Sequence, residues 1–398
     1  MGRKRRRLII GEREDSIAMQ GNLNGERLKK ARIYRGFSVS ELAEKSGCSR
    51  QSIYMYEREK TKRVDLNAIE ALARTLDFPE RFFCESDMKA EIGSTYFRAL
   101  LTTSSRYREA QTQKMEFLAD IFVFLQEYLE FPHRTIPDCS GQTPEEAAAT
   151  LRREWHLGTR PIENIVALVE SNGIIVTKFP VETNDIDAFS QLVRIGDEDI
   201  YLIGYSENKT AASRVHFDIA HELGHICLHG WSEDIEKIDR DEFKEREKEA
   251  NEFAAAFLLP REGFAKDAAV NPKSIPAYTE LKRKWKVSIQ AMARRSFSLG
   301  LITMEEYQEI IRTMQRRGIR KQEPLDNILV TASPTLLKTA VMMLLTENVF
   351  TPQEFMDELS YNYNLSLYPK EVESLLDLPN GTLEKPKTVY LSNLKLKE

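Results

Sequence analysis

Histidine is concentrated in one short segment, and this segment constrains the fold more than any other part of the chain. Only six of the 398 residues are histidine, and four of them are His216, His221, His225 and His229. His221 and His225 belong to the sequence His-Glu-Leu-Gly-His. On an α-helix, a spacing of four residues puts both imidazoles on one face, close enough to share a metal ion. The segment therefore predicts a helix that carries a metal site.

The residues around these histidines also favour a helix. Ala220, Leu223 and Cys227 form an apolar face. Asp218 and Glu222 lie with His221, His225 and His229 on the other side. Glu222 follows the first histidine of the pair and can take a proton from a water molecule held at a metal, so it is the candidate catalytic base. The alternative is a polar helix face whose histidines bind no metal.

A catalytic zinc with two histidine ligands needs a third protein ligand and keeps one position for water. The acid-rich segment 241–259 is predicted to be a helix with an apolar stripe that includes Phe243 and Ala250. Glu247 lies on this stripe, where a carboxylate is costly to bury unless a metal or a hydrogen-bond donor meets it. Glu247 is therefore the candidate third ligand, and Glu249 is the alternative.

Charge is divided unevenly along the chain. Residues 1–85 carry 19 Lys and Arg against 13 Asp and Glu, whereas the remainder carries 38 against 49. A basic first part on an acidic body is typical of a nucleic-acid-binding module attached to a domain of another kind. No apolar run approaches the roughly 20 residues of a membrane span, and the four cysteines form no Cys-x-x-Cys pair. We therefore expect a cytoplasmic protein with no membrane partner.

Residues 38–54 predict two short helices joined by a tight turn. Ser38 can cap the first helix together with Glu41, Gly47 supplies the turn, and Ser49 can cap the second helix. The predicted core of this module consists of Leu28, Ala31, Leu42, Ala43, Ile53, Leu66, Ile69, Leu72 and Leu76.

The second helix of this pair carries the candidate DNA contacts. Hydrogen-bond donors at a helix N-terminus can reach base edges in the major groove, and the helix dipole favours a nearby phosphate. The alternative is a small helical bundle that packs or dimerises without touching DNA. The candidate contact residues are Ser49, Arg50, Gln51, Ser52 and Tyr54.

A small β-sheet is predicted between the basic module and the histidine-rich helix. Apolar and β-branched residues predict strands over residues 173–179, 189–195 and 200–205, with a turn at 196–199. The stretch 187–190 can present a strand edge to which an extended peptide adds.

Three further residues and two basic runs allow more than one interpretation. His229 lies two helical turns beyond the first histidine of the pair, too far to share its ion, and either stabilises the helix C-terminus or contacts a ligand. His216 is expected to be structural, and Arg214 can hold a substrate carbonyl or pair with an acid. The basic runs at 282–284 and 316–321 are expected to be solvated faces, with a second nucleic-acid contact as the alternative.

Residues 27–82, which contain the helix–turn–helix pattern, resemble the lambda-repressor-like (Xre) family of DNA-binding domains. Val39 stands where this family usually has a glutamine that contacts phosphate.

The histidine-rich helix and the acid-rich helix carry a second resemblance. Residues 214–225 and 247–260 resemble the active helix and a later helix of the ImmA/IrrE family of metallopeptidases, and residues 281–300 resemble a segment that follows. That family's motif for the later helix begins with its third ligand, which maps to Glu247. Asn251, one turn later, is then expected to contact a ligand.

Together the resemblances imply a mainly α fold with a small β-sheet, of the α+β class. They imply an N-terminal five-helix lambda-repressor-like DNA-binding domain, a zincin-like metallopeptidase domain of the gluzincin type, and a helical C-terminal segment. The expected boundaries are 1–21 for a basic flexible arm, 22–86 for the helix-turn-helix domain, 87–142 for a helical connector and linker, 143–325 for the peptidase domain and 326–398 for the C-terminal region.

The resemblances also imply a function. The expected protein is a DNA-binding transcriptional regulator with a metallopeptidase domain that binds Zn²⁺, or another divalent ion such as Mn²⁺. Its expected partners are double-stranded DNA and a protein substrate, an Xre-family repressor whose cleavage derepresses stress-response or mobile-element genes; a homodimer is a further option. The alternative is a non-proteolytic Xre-family regulator or antitoxin whose peptidase-like domain is a sensor or a partner-binding scaffold.

Overall fold

The computed structural model describes residues 22–59, 63–86, 90–97, 105–179, 188–207, 211–229 and 238–384. The predicted basic arm, residues 1–21, lies outside these ranges. The described residues form two compact units. The first unit contains the described residues up to 86 together with residues 109–124 and 341–384, and the second contains the other described residues.

Among the described residues, the first unit begins with four α-helices and a 3-10 helix. They are α1 (Gly25–Tyr34), α2 (Val39–Ser46), α3 (Arg50–Glu57), α4 (Leu66–Leu76) and the 3-10 helix Glu80–Cys84. Four α-helices and this short 3-10 helix agree with the five-helix domain that the resemblance implies.

Local signals in the sequence explain where α2 and α3 begin and end. Ser38 caps α2 and forms a reciprocal capping box with Glu41. Gly47 follows α2 with a φ of 75°, a left-handed conformation that favours glycine. Ser49 caps α3 by accepting a hydrogen bond from the backbone N–H of Ser52. The predicted helix–turn–helix is therefore confirmed.

Eight of the nine predicted core residues of this region are buried, and Leu66 is not. Its side chain is 56% exposed. Leu66 is the first residue of α4, after the N-cap Asp65. Because helical side chains point back toward the N-terminus, a side chain in the first turn projects past the end of the helix. The prediction that Leu66 belongs to the core is wrong for this reason.

The first unit also contains residues from the C-terminal part of the chain. They lie in the last part of α14 (Leu336–Thr346) and in α15 (Pro352–Tyr363) and α16 (Pro369–Leu375). Glu371 of α16 accepts a hydrogen bond from the hydroxyl of Tyr34 and forms an ion pair of 2.7 Å with Arg35. Arg27 donates to the carbonyl oxygen of Asn364 at 2.8 Å. The C-terminal helices therefore pack on α1 of the helix-turn-helix region.

The second unit contains a four-stranded sheet with the order β1-β3-β4-β2. β1 pairs antiparallel with β3, β3 pairs antiparallel with β4, and β2 pairs parallel with β4. The strands are β1 (Ala90–Phe97), β2 (Ile175–Phe179), β3 (Ala188–Ile195) and β4 (Glu198–Ser206).

Three of these strands are predicted from the sequence and β1 is not. β1 lies in the region assigned to a helical connector, which also contains α5 (Ser105–Gln126). Because β1 pairs with β3, β3 is an interior strand, and the prediction of an open edge at 187–190 is wrong for residues 188–190. Residue 187 lies outside the described part of the chain.

Eight of the described helices lie entirely in the second unit. They are α6 (Pro144–Glu154), α7 (Ile165–Ser171), α8 (Ala212–Leu228), α9 (Arg240–Leu258), α10 (Arg261–Ala268), α11 (Ile275–Trp285), α12 (Ile289–Ser298) and α13 (Met304–Arg316). The core of the unit includes Leu223 of α8, Phe253 and Phe257 of α9 and Trp285 of α11, all buried. None of the described helices has both the length and the apolar character needed to cross a membrane.

A buried cation corrects one prediction about the basic runs. Lys282 of α11 was expected on a solvated face, but its side chain is fully buried. Its Nζ donates to Glu323 Oε2 at 2.8 Å and to Asp326 Oδ1 at 2.6 Å. A buried ammonium group is tolerated when carboxylates pair with it, so this lysine belongs to the internal packing of the unit. Arg316, in the other basic run, is exposed as expected.

Candidate metal centre and DNA-binding surface

The candidate metal centre is built on α8. This helix contains His221, Glu222 and His225, whose exposed fractions are 0%, 0% and 1%. His221 and His225 lie one helical turn apart, as the sequence predicts. Their rings form a T-shaped pair with centroids 4.8 Å apart. The helix therefore directs both imidazoles to one place inside the second unit.

Gly224 lets α9 approach α8 closely. A Cβ atom at this position would lie 3.0 Å from the Cα atom of Ala250 and 3.2 Å from its carbonyl oxygen. A larger residue at position 224 would therefore require the backbone of α9 at Ala250 to shift by a few tenths of an ångström. Ala250 lies three residues after Glu247 on α9, so the contact between these small residues brings Glu247 to the histidines.

Three side chains converge at this point. The Nε2 atoms of His221 and His225 are 3.1 Å apart. Glu247 Oε1 lies 3.1 Å from Nε2 of His225, and Glu247 Oε2 lies 3.4 Å from Nε2 of His221. Around a tetrahedral zinc with bonds of about 2.0–2.1 Å, neighbouring ligand atoms are about 3.3–3.4 Å apart. The chemistry and spacing of these donors therefore fit a divalent ion.

The protonation states of two of these side chains, His225 and Glu247, also suit a cation. Burial lowers the pKa of His225 to about 4, although its hydrogen bond to Glu247 acts in the opposite direction. Burial raises the pKa of Glu247, but hydrogen bonds from His221 and His225 outweigh this effect and lower the pKa to about 2. At pH 7, His225 is therefore neutral and Glu247 is ionised, which are the forms that bind a metal.

Glu222 is held by a residue of the sheet. The hydroxyl of Ser190 in β3 donates a hydrogen bond of 2.6 Å to Glu222 Oε2, and both side chains are fully buried. This contact fixes the orientation of the carboxylate. The sequence gives no signal for it, because the two residues lie 32 positions apart and belong to different elements.

A second row of hydrogen bonds leads from His225 toward the surface. His225 Nδ1 lies 2.9 Å from His229 Nδ1, and His229 Nε2 lies 3.0 Å from Glu249 Oε2. His229 is 8% exposed, whereas the Glu249 side chain is 39% exposed. Burial lowers the pKa of His229 to about 4. Of the two alternatives predicted for His229, this geometry matches a contact with a candidate ligand, and Glu249 contacts His229.

Two parts of the chain match family models. Residues 169–297 match the IrrE N-terminal-like domain of the M78 peptidase group, and residues 25–81 match a helix-turn-helix domain. The chain contains both domains. No curated protein compared with the chain matches it significantly. The first match spans α8 and α9, so the three converging side chains belong to the IrrE N-terminal-like domain, which is metallopeptidase-like.

Three other predicted residues of this domain lie in different surroundings. Asn251 donates a hydrogen bond of 2.6 Å to the backbone carbonyl of Glu247, so it contacts the backbone of that residue. Arg214 donates to the carbonyl oxygen of Lys321 at 2.7 Å and is exposed. His216 is 1% exposed, and its Nδ1 has no hydrogen-bond partner among the described residues. Burial lowers the pKa of His216 to about 3.

The candidate DNA contacts lie at the start of α3 in the helix-turn-helix domain. Ser49, Arg50 and Gln51 are exposed, and Ser52 is half-buried. The hydroxyl groups of Ser49 and Ser52 form a hydrogen bond of 2.8 Å. Tyr54 is 45% exposed, and the guanidinium group of Arg58 lies 4.3 Å from the centre of its ring. Arg58 is therefore a further cation beside the predicted DNA contacts. The sequence prediction does not include it.

Proposed function

We propose that the chain is a DNA-binding regulator whose IrrE N-terminal-like domain is a zinc-dependent peptidase. The observation that carries this proposal is the convergence of His221, His225 and Glu247 next to Glu222 on α8. Two neutral imidazoles and one carboxylate form the ligand set of many catalytic zinc sites. A structural zinc site, in contrast, is closed by four protein ligands.

In this proposal, His221, His225 and Glu247 hold one Zn²⁺ ion, or another divalent ion such as Mn²⁺. When bound, the ion supplies Lewis acidity toward a peptide carbonyl and a water molecule. His225 must carry its proton on Nδ1, because Nε2 has to keep its lone pair for the ion. His229 Nδ1 accepts that proton in a hydrogen bond, and His229 in turn donates from Nε2 to Glu249.

Glu222 is the proposed general base. Its carboxylate accepts a proton from the water that attacks the peptide carbonyl and then delivers that proton to the leaving amine nitrogen. The Ser190 hydroxyl donates to Oε2 throughout and holds the carboxylate in one orientation. Because Glu222 and Ser190 are buried, this hydrogen bond is shielded from water and keeps its full strength.

The proposed substrate is a helix-turn-helix repressor, and its cleavage would switch on the genes that it represses. The resemblance of the second unit to ImmA/IrrE metallopeptidases supports a narrow protein target of this kind. The helix-turn-helix domain would bring the peptidase to DNA or to a repressor of similar fold. Exposed Arg50 and Gln51 at the start of α3 support contact with DNA.

Co-expression with a candidate repressor and a reporter gene under its control tests this proposal. The wild-type chain should cleave the repressor and raise reporter expression. Glu222→Gln should retain the metal and abolish both effects, because an amide cannot accept the proton. Glu252→Gln, an exposed position on α9, is the matched control and should behave as wild type. An active Glu222→Gln variant would contradict the proposal.

A second candidate function is regulation without proteolysis, in which the IrrE N-terminal-like domain is a sensor or a partner-binding scaffold. The complete burial of Glu222 favours this candidate. The same experiment separates the two functions. A scaffold would raise reporter expression equally in the wild type and in Glu222→Gln, with the repressor intact in both.

A further inference from the structure

β3 contains the residue that holds the proposed general base, and both of its edges are paired. β4 covers one edge, and β1 covers the other. Residues 95–97 of β1 lie opposite residues 189–191 of β3 in antiparallel register, so Tyr96 is the partner of Ser190. β3 therefore lies between β4 and β1, and β1 is the strand next to Ser190 on the edge that β4 does not cover.

β1 has the conformation and direction of a bound peptide. Extended peptides bind to sheets by adding a strand, and their main-chain hydrogen bonds supply the affinity. An antiparallel partner exchanges such bonds along its whole length. Six of the eight residues of β1 pair with β3 in this way, and the strand comes from the region between the helix-turn-helix domain and α5.

The candidate metal centre is buried. His221, Glu222 and His225 are at most 1% exposed, yet a peptide bond must reach these groups before it can be cleaved. A peptide therefore reaches these groups only after a neighbouring part of the domain moves. The β1–β3 pairing is interrupted by an irregularity between Ile92 and Thr95, and such bulges disrupt the ladder locally.

We infer that the edge of β3 covered by β1 is the peptide-binding site of the IrrE N-terminal-like domain. Its ligand is an extended polypeptide in antiparallel direction, and residues 90–97 of the chain itself occupy it. The inference rests on the proposed function, because it assigns the substrate site of that peptidase. A tethered segment competes as if it were present at about millimolar concentration, so a substrate binds only when β1 is displaced.

A disulfide cross-link tests whether β1 lies on β3 in solution. Glu91 and Arg194 are register partners, and Cα atoms of antiparallel partners lie about 4.5–5.5 Å apart, within reach of a disulfide. Glu91→Cys with Arg194→Cys should cross-link under mild oxidation, as read by mass spectrometry of the full chain. Asp199 lies one strand further on, in β4, at about 10 Å from β1. Glu91→Cys with Asp199→Cys is the matched control and should not cross-link.

Peptide binding tests whether β1 occupies a binding site. The probe is a fluorescent peptide with the sequence of residues 90–97, and the protein is the full chain with Glu222→Gln, which prevents cleavage. Thr95→Pro with Tyr96→Pro should free the site, because successive N–H groups alternate in direction and one of these two faces β3. This unpaired variant should bind the peptide at least about tenfold more tightly than the parent. The cross-linked protein should not bind it.

Two results would overturn the inference. One is a lack of cross-linking between positions 91 and 194, and the other is equal peptide affinity in the cross-linked and unpaired proteins. Neither readout depends on catalysis, so the inference can fail while the metal content and cleavage activity of the wild type remain as proposed. Conversely, a chain that binds no zinc and cleaves nothing would defeat the proposed function without changing these two measurements.

Discussion

Replacing His229 tests whether the row of hydrogen bonds behind His225 supports metal binding. His229→Ala removes the nitrogen that lies 2.9 Å from His225 Nδ1, in surroundings where His229 is only 8% exposed. Without metal, His225 can move its proton to the other ring nitrogen. With metal, the proton must stay on Nδ1, and its hydrogen bond to His229 is lost. The substitution therefore raises the free energy of the metal-bound state more than that of the metal-free state, and metal binding becomes weaker.

The expected cost follows from burial. A buried donor that loses its acceptor costs about 1–3 kcal/mol, and loss of an outer partner of a metal-binding histidine typically weakens metal affinity by about 10–100-fold. We expect the zinc dissociation constant of His229→Ala to rise by this factor. Competition with a chromophoric chelator measures it, and the thermal unfolding of the metal-free protein shows whether the fold is intact.

Two variants of α9 complete the test. Glu249→Gln leaves His229 in place with a neutral acceptor, so its effect should be smaller, below about tenfold, since a hydrogen bond to a charged group exceeds a neutral one by about 1 kcal/mol. Glu252→Gln, at an exposed position on the same helix, should not change zinc affinity. A His229→Ala variant that binds zinc as tightly as the wild type would refute the reasoning.

Three other predictions concern DNA binding and stability. Arg50→Ala should weaken binding to double-stranded DNA by about 1–3 kcal/mol; unchanged anisotropy titrations would exclude Arg50 from the interface. The pKa of His216 is lowered from 6.5 to about 3 in the folded chain, so its contribution to stability is full above pH 6.5 and is lost as the pH falls toward 3. Urea unfolding of His216→Gln should then depend less on pH between 6.5 and 4, and an unchanged dependence would rule out this origin. Lys282→Met leaves Glu323 and Asp326 buried without their cation and should lower the free energy of unfolding by about 3–5 kcal/mol; a loss below 1 kcal/mol would contradict the pairing.

Local sequence signals account for the parts of the fold that are predicted correctly. Caps such as Ser38 and Ser49 and the turn residue Gly47 act on their own neighbours, so their roles can be read from a few positions. The same holds for the helical spacing of His221 and His225. The apolar stripe of α9 depends only on helical period, and it selects Glu247 without knowledge of any other element.

Contacts between distant segments leave no local signal. The bond between Ser190 and Glu222 and the pairing of β1 with β3 join parts of the chain that are predicted separately. Lys282 belongs to a basic run, and only its partners Glu323 and Asp326 explain why it is buried. The packing of α16 on α1 likewise depends on Glu371, which lies more than 330 residues from Tyr34.

Gly224 is an intermediate case. Its place in the His-Glu-Leu-Gly-His sequence is visible, and a small residue also occurs at Ala250 in the other helix. Only the packing of α8 against α9 shows that both positions need small residues, because a Cβ atom at position 224 would lie 3.0 Å from Ala250 Cα. A small residue on each of two neighbouring helices is therefore a feature whose meaning becomes clear only from their packing.

Mass spectrometry of a repressor incubated with the purified, zinc-loaded chain tests the central claim most directly. The claim is that His221, His225 and Glu247 hold an ion beside Glu222 for peptide hydrolysis. The wild type should produce a new N-terminus at one site in the repressor, and Glu222→Gln, loaded with the same amount of zinc, should produce none. Equal cleavage by both proteins, or an intact repressor with both, would contradict the claim.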